Sequence, residues 1–134
     1  MTPSVTLLGT GGPRLDPTRR STALLLRTGE EEVLIDAGRG AIHGLAQAGA
    51  AFPKLARIVL THHHFDHIGD LYDVMLTTWL EGRKERLLVE GPPDTKRLVD
   101  ALLTQVYDKD HTWRGLGEPA FGGWAPVDAR DIGV

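Results

Sequence analysis

The 134-residue sequence contains no cysteine, which removes disulfides, thiolate metal sites and cysteine nucleophiles together and agrees with a reducing compartment. It has no excess of basic charge either. Fifteen Lys and Arg against eighteen Asp and Glu leave a formal charge of -3. The basic residues are scattered, so nothing resembles the concentrated stripe with which a protein grips nucleic acid by charge alone. Any phosphate has to be held some other way. No apolar run approaches the length that crosses a bilayer. The opening MTPSVTLLGTGGPR carries no basic leader and no cleavage-like stretch, so the expectation is no signal peptide, no membrane association and a cytoplasmic location. What is present is ordinary core material: 41% hydrophobic and 25% charged residues are close to the average for soluble globular proteins, and the length suits a single domain, 1–134.

Strand and helix signals alternate along the chain. SVTLLG (4–9) and TALLLRT (22–28) read as strands, and GEEE turns the second into VLIDAG (33–38), with Gly29 supplying the turn geometry. GAIHGLAQAG (40–49) spaces Ile42, Leu45 and Ala46 as a helix, and ARIVLTH (56–62) is a short β-branched strand. GDLYDVMLTTWLEG (69–82) repeats Leu71, Val74, Met75 and Trp79 along one helical face. RLLVE (86–90) is a strand, Asp94 a helix N-cap, and Leu98, Val99, Leu102, Leu103 and Val106 a second amphipathic helix. These apolar rows are core positions. The segment 108–134 changes character. It is rich in Gly, Pro and Trp without a sustained period, reads as an irregular tail with a strand beginning at VDARDIGV, and leaves Trp113, Phe121 and Trp124 wanting a surface to cover them. The order predicts an α/β arrangement, a mixed β-sheet with helices packed on one face.

Four histidines and two aspartates fall within ten residues, THHHFDHIGD (61–70). His62 and His64 are two apart at the end of a strand, which sends them to the same side and turns His63 away. Left extended, residues 62–66 would span roughly 13 Å at about 3.3 Å per residue, too far to serve two ions about 3.5–4 Å apart. The segment therefore has to curl. Imidazoles and a carboxylate gathered from one curled loop suit Zn²⁺ or a similar borderline metal, with Mn²⁺ or Fe as alternatives to zinc and calcium disfavoured. A solvated polar loop, or a helix N-terminus whose acids complement the macrodipole, accounts less well for H-x-H-x-D-H directly after an apolar strand.

That stretch resembles the H-x-H-x-D-H signature of the metallo-β-lactamase-fold hydrolases. LIDAG (34–38) is similar to the strand-end Asp-x-Gly motif of the same superfamily, and VTLLGTGGPR (5–14) and LLVEGPPDT (87–95) resemble its ribonuclease Z-like and phosphodiesterase-like branch. The similarity runs from about Val5 to about Tyr107. It implies half of an αβ/βα sandwich, His62 and His64 as ligands of a first metal ion, and Asp66 and His67 as ligands of a second. It also implies Asp66 as the catalytic proton-transfer group and Asp36 behind the ligands, orienting them. The implied activity is metal-dependent hydrolysis of a phosphodiester, RNA included, by an activated water. Ester, lactone or thioester hydrolysis on the same scaffold, and a non-catalytic metal-binding or interaction remnant, are the alternatives.

Ligand arithmetic limits that reading. A catalytic zinc takes about three protein donors plus water, so two zincs sharing one ligand need about five or six, and the motif supplies four. Beyond His67 only His111 remains, in a context unlike a ligand motif. The expectation is an incomplete N-terminal portion of a longer hydrolase, inactive by itself, whose missing half, or a further copy of the chain, supplies the other donors. Other motifs take ordinary readings. GTGGPR (9–14) lacks the Lys-Ser/Thr of a P-loop and places Arg14 where a dinucleotide fingerprint needs its third glycine, so it is a tight turn. Arg19 and Arg20 are a solvated pair before they are phosphate contacts, and His43 is a surface histidine.

Overall fold

The computed structural model describes residues 2–117 and 123–133. Six strands form one mixed sheet in sequence order: β1 Ser4–Gly9, β2 Ala23–Arg27, β3 Glu32–Ile35, β4 Leu55–Val59, β5 Leu87–Gly91 and β6 Val127–Asp131. The first three pair antiparallel and the last four parallel. Gly29 makes the β2–β3 turn at φ 98°, a value open to glycine without steric cost. Helices occupy the parallel crossovers: α1 Ala41–Gln47, α2 Phe65–Ile68, α3 Leu71–Leu80, α4 Thr95–Ala101 with a π-helical continuation over Leu102–Val106, and α5 Asp108–Gly117. Parallel crossovers are right-handed, and a strand order that advances in one direction repeats the same handed step, so every helix lands on the same face.

That face holds the core. Leu25, Leu34, Ile58 and Val89 stand side by side in register across four strands, fully buried, and pack against Ile42, Leu45, Leu71, Val74, Met75 and Val99 of the helices. The other face is less covered. Val5 and Leu7 are exposed there, while Glu90 sits between Arg57 and Arg130 and pairs with both.

Arg83 fastens the C-terminal end of α3. The residue is 1% exposed and has no carboxylate partner among the described residues; its guanidinium donates to the carbonyls of Met75, Glu85 and Pro126 and to the Thr78 hydroxyl at 2.9–3.3 Å. A cation suits the C-terminal end of a helix, where the macrodipole is negative, and here it also satisfies the Glu85 and Pro126 carbonyls outside the helix. Burial pushes the group down to about 10, so it stays charged near neutrality. Because Pro126 precedes β6, this one side chain ties a helix end to the entry of the last strand.

The elements depart from the sequence expectations at specific points. In α1, Ala46 is exposed while Ala41 and Gly44 are buried. Strand β4 ends at Val59, short of the histidines. Asp94 stands at the N-cap of α4 with φ 79° but its side chain does not cap; the carboxylate of Asp131 does, accepting from the N–H groups of Asp94 and Lys96 at 3.1 and 2.8 Å. Val106, expected in an apolar row, is 60% exposed because the π-helical turn rotates it outward. The segment expected to be irregular from Asp108 begins with a helix, α5. It is clasped to α3 where Tyr107 stacks on Tyr72 at 3.9 Å and Tyr72 donates to Asp110 at 3.1 Å. Trp124 has found cover against Trp79 and His111, whereas Trp113 is 68% exposed and Phe121 lies outside the described residues.

Replacing Arg83 with Ala is expected to lower stability by about 3 kcal/mol or more, since four acceptors lose a charged donor at once. Urea unfolding followed by far-UV circular dichroism measures it; a change within about 0.5 kcal/mol, the range of ordinary surface substitutions, would show that water replaces the guanidinium freely.

Candidate metal centre

Parallel strands deliver loops to one edge of the sheet, and the crevice beyond their C-terminal ends is where α/β proteins place chemistry. Asp36 follows β3 and Thr61 to His64 follow β4. Asp36 adopts φ 60°, a left-handed backbone uncommon outside glycine and tolerated best by Asp and Asn. Two main-chain bonds hold it there, from its own N–H to Val59 O (2.8 Å) and from Ala37 N–H to His67 O (2.7 Å). Gly38 is required two residues on, because a Cβ would stand 2.3 Å from the Asp66 carbonyl oxygen. The Asp-x-Gly stretch and the histidine loop thus touch backbone to backbone.

The buried Asp36 carboxylate organises the site. One oxygen accepts from Thr61 N–H at 2.8 Å; the other accepts from the Thr61 hydroxyl at 2.8 Å and from His67 Nδ1 at 2.7 Å. The Thr61 oxygen also lies 3.0 Å from His62 Nδ1. Thr61 has a single hydroxyl proton and gives it to Asp36, so His62 Nδ1 has to be the donor in that contact. Both imidazoles are therefore protonated at Nδ1, and in their neutral forms both keep the Nε2 lone pair for a ligand. One carboxylate sets two tautomers, directly for His67 and through a hydroxyl for His62.

The sequence-predicted donors gather as follows. The ring of His62 lies 4.1 Å from that of His67 and 4.8 Å from that of His64, centroid to centroid. Asp66, 7% exposed, brings Oδ2 to 3.5 Å from His67 Nε2. The loop curls after Val59, which brings His62 and His64 together by bending instead of by strand alternation. Donor chemistry thus fits a divalent cation: imidazole nitrogens with fixed tautomers and one nearby carboxylate. Number and convergence fall short, since among the described residues no group of three or more His, Asp or Glu side chains is arranged to hold an ion.

The remaining candidates have other partners. His63 turns away and bonds Thr95; His111 Nε2 lies 2.6 Å from Leu103 O; His43 is exposed. Arg20 reaches Gln47 on α1 at 2.7 Å. Sequence reasoning missed Thr61 and Arg39. Arg39 donates to Pro13 O at 2.7 Å and lies 6.0 Å from the centre of the Phe65 ring, tying the glycine loop to the histidine helix. Asp70 also has a fastening role. It accepts from Ile42 N–H at the start of α1, and burial raises its carboxyl while the Ile42 and Gly40 N–H groups pull it down. A hollow of about 580 Å³ beside the glycine loop is lined by Arg14, Asp16, Arg19, Arg20 and Arg39, but by none of the four proposed ligands.

The model of the metallo-beta-lactamase superfamily matches residues 16–132. The chain belongs to that superfamily. Membership implies divalent metal ions. Similar relatives include a ribonuclease Z of Mycobacterium marinum, 40% identical over 130 residues that cover 95% of this chain and 46% of the relative. A second, from Mycolicibacterium paratuberculosis, is 43% identical over 105 residues, 76% of this chain and 38% of the relative. Among solved structures, the short form of human tRNase Z aligns with a TM-score of 0.72 at 23% identity, over 99% of this chain and 45% of that one. The Bacillus subtilis metallo-beta-lactamase fold protein YhfI aligns at 0.69 and 18%. The chain spans less than half the length of these proteins, which bears out the reading of the sheet and its helices as half of the superfamily's sandwich.

If Asp36 sets both tautomers, Asp36→Asn weakens zinc binding by about 10–100-fold, as loss of an orienting partner commonly does, with little change in secondary structure because Asn tolerates the same backbone. Thr61→Val weakens it less, by disturbing His62 alone. Competition against a chromophoric chelator reads both; equal affinities for the two variants and the wild type would remove the tautomer argument.

Proposed function

We propose that this chain provides part of the active site of a metal-dependent phosphodiesterase of the ribonuclease Z kind. His62 and His64 serve one ion, Asp66 and His67 a second, and Asp36 orients the ligands. The reading is carried by the Thr61–Asp36–His67 bond system, which commits Nδ1 of two imidazoles to donation and so leaves their Nε2 lone pairs for an ion, with the Asp66 carboxylate 3.5 Å from His67 Nε2. A structural histidine cluster has no need of that tautomer pattern. The similarity to ribonucleases Z supports a phosphodiester, with RNA as the natural form. Zinc suits the imidazole-rich donor set best, with manganese or iron possible on the same ligands.

When bound, a pair of divalent cations supplies Lewis acidity toward a water and toward the phosphoryl oxygens. The chain's own groups do the rest. Imidazoles fixed through Nδ1 present Nε2 without a search over ring rotations, which limits the ordering cost at the moment of binding. Asp66, whose carboxylate lies 3.5 Å from His67 Nε2, takes the role of proton acceptor that orients an attacking water, a role its closeness to the proposed ligand nitrogen supports. Four donors do not complete two coordination spheres, so further ligands come from outside residues 62–67, from a following segment or a second copy. The expected compartment is the cytoplasm.

Protein expressed from its full reading frame is expected to hydrolyse bis(p-nitrophenyl) phosphate in the presence of Zn²⁺ or Mn²⁺. His64→Ala and Asp66→Ala should each reduce kcat/KM by about 100-fold or more, in keeping with removal of a metal ligand or proton acceptor. Turnover that survives His64→Ala, or hydrolysis of p-nitrophenyl acetate with none of the diester, would count against the proposal.

A further inference from the structure

His63 sits inside the ligand motif yet points out of it. Its Nε2 lies 2.8 Å from the Thr95 hydroxyl, and that hydroxyl donates to the Pro92 carbonyl at 2.7 Å. The hydroxyl proton being spent on Pro92, His63 Nε2 has to be the donor. His63 is thus protonated on the nitrogen opposite to that of its neighbour His62, which is protonated at Nδ1. Consecutive histidines are held in opposite tautomers by two threonines, Thr61 and Thr95.

The receiving end of this bond is a built pocket. Thr95 is fully buried, and its hydroxyl fits because residue 91 is glycine, where a Cβ would come within 2.5 Å of it. Pro92 follows β5, Thr95 opens α4, and Asp131 at the end of β6 accepts from the Asp94 and Lys96 N–H groups on either side of Thr95. The Asp131 carboxyl is held below the ordinary carboxylate range, first by the Lys96 N–H and then by the Asp94 N–H. The ends of three parallel strands, β4 through its loop, β5 and β6, thereby meet at the turn that carries Thr95.

We propose that His63 is a positioning residue: its bond to Thr95 braces the loop 61–67 against the β5–α4 turn and so holds His62 and His64, on either side of it, in ligating posture. The proposal rests on the reading of 62–67 as metal ligands. It follows from chain geometry. His62 is anchored to Asp36 through Thr61, and the loop's later bonds from Ala37 N–H to His67 O and from His67 to Asp36 lie on that same β3 side; beyond the Leu60 N–H bond to Glu90 O, the His63–Thr95 bond is the second anchor, which holds the histidine run itself from the β5 side. His64, exposed and without a side-chain hydrogen bond of its own among those described, depends on that second anchor more than His62 or His67 does.

Amide hydrogen exchange and histidine ¹⁵N spectra of the metal-free protein expressed from its full reading frame, with zinc titration of the same samples, test the proposal. In Thr95→Val, and in His63→Leu, amides of residues 61–67 should exchange about tenfold faster while those of β2 and β3 keep wild-type rates. The His63 Nε2–H signature should disappear in Thr95→Val, and zinc affinity should fall about tenfold, the range seen when ligand-orienting partners are lost. Thr95→Ser and His63→Gln, which retain a hydroxyl and an N–H donor, should restore both exchange and affinity. Unchanged exchange at 61–67, acceleration spread evenly over the sheet, or failure of the conservative variants to restore affinity would each overturn the brace. Absence of zinc uptake by the wild type would overturn the metal reading beneath it, whereas normal uptake with unchanged exchange would overturn the brace alone.

Discussion

The arrangement depends on one buried carboxylate in an unfavourable backbone conformation. Asp36 accepts three hydrogen bonds, all from residues 61–67, while its own φ of 60° is held by main-chain contacts to Val59 and between Ala37 and His67. A non-glycine residue in that region costs of order 1–3 kcal/mol, and such costs persist where surrounding structure over-determines them. Here the over-determination is visible. Gly38 admits the Asp66 carbonyl, β3 and β4 are neighbouring parallel strands, and both loops emerge from the same edge. The core under the helices stabilises the sheet; the sheet fixes the spacing of the two loops; the loop spacing fixes the carboxylate.

Sequence legibility followed the range of the interactions involved. Strand and helix positions read well because alternation and 3.6-residue periodicity are local, and Leu25, Leu34, Ile58 and Val89 sit where their apolar runs placed them. The H-x-H-x-D-H motif was equally plain. What could not be read was long-range: Thr61 looks like the residue before a motif until Asp36 is known to stand opposite, and Asp131 caps α4 from 35 or more residues away. Asp94 was the natural local choice for that cap. Its left-handed backbone turns its side chain to Arg97 instead. The helix at 108–117 has a weak apolar pattern and is held by Tyr72 on another helix, a tertiary partner that periodicity does not register.

Donor identity and donor posture are separate matters in this site. The chain supplies imidazoles whose tautomers suit coordination and a carboxylate beside them, yet among the described residues no three such side chains converge as a set. On the proposed reading a cation would supply the missing attraction, since mutually repelling lone pairs have no reason to point at one another without a positive charge between them. Pre-organisation is therefore carried one step out from the proposed ligands, in hydrogen bonds that the chain makes by itself. Thr61, Asp36 and Thr95 fix ring orientation and tautomer, leaving small side-chain adjustments for binding itself.

This division explains why adjacent histidines in one short run serve different ends. Three imidazoles in sequence cannot all face one ion from a bent loop, because successive side chains diverge and the middle one is left over. Left in solvent, His63 would add a flexible polar group to the most constrained turn of the molecule. Bonded to a fully buried threonine on the next crossover, it closes the loop from the side that Asp36 cannot reach. Opposite tautomers on His62 and His63 follow from opposite anchors, and the anchors lie in the segments that leave β3 and β5, the two neighbours of the strand from which the loop departs. A loop on a central strand can be held from both flanks; a loop on an edge strand cannot. The placement of the ligand run after β4 is thus a consequence of sheet order as much as of the motif itself.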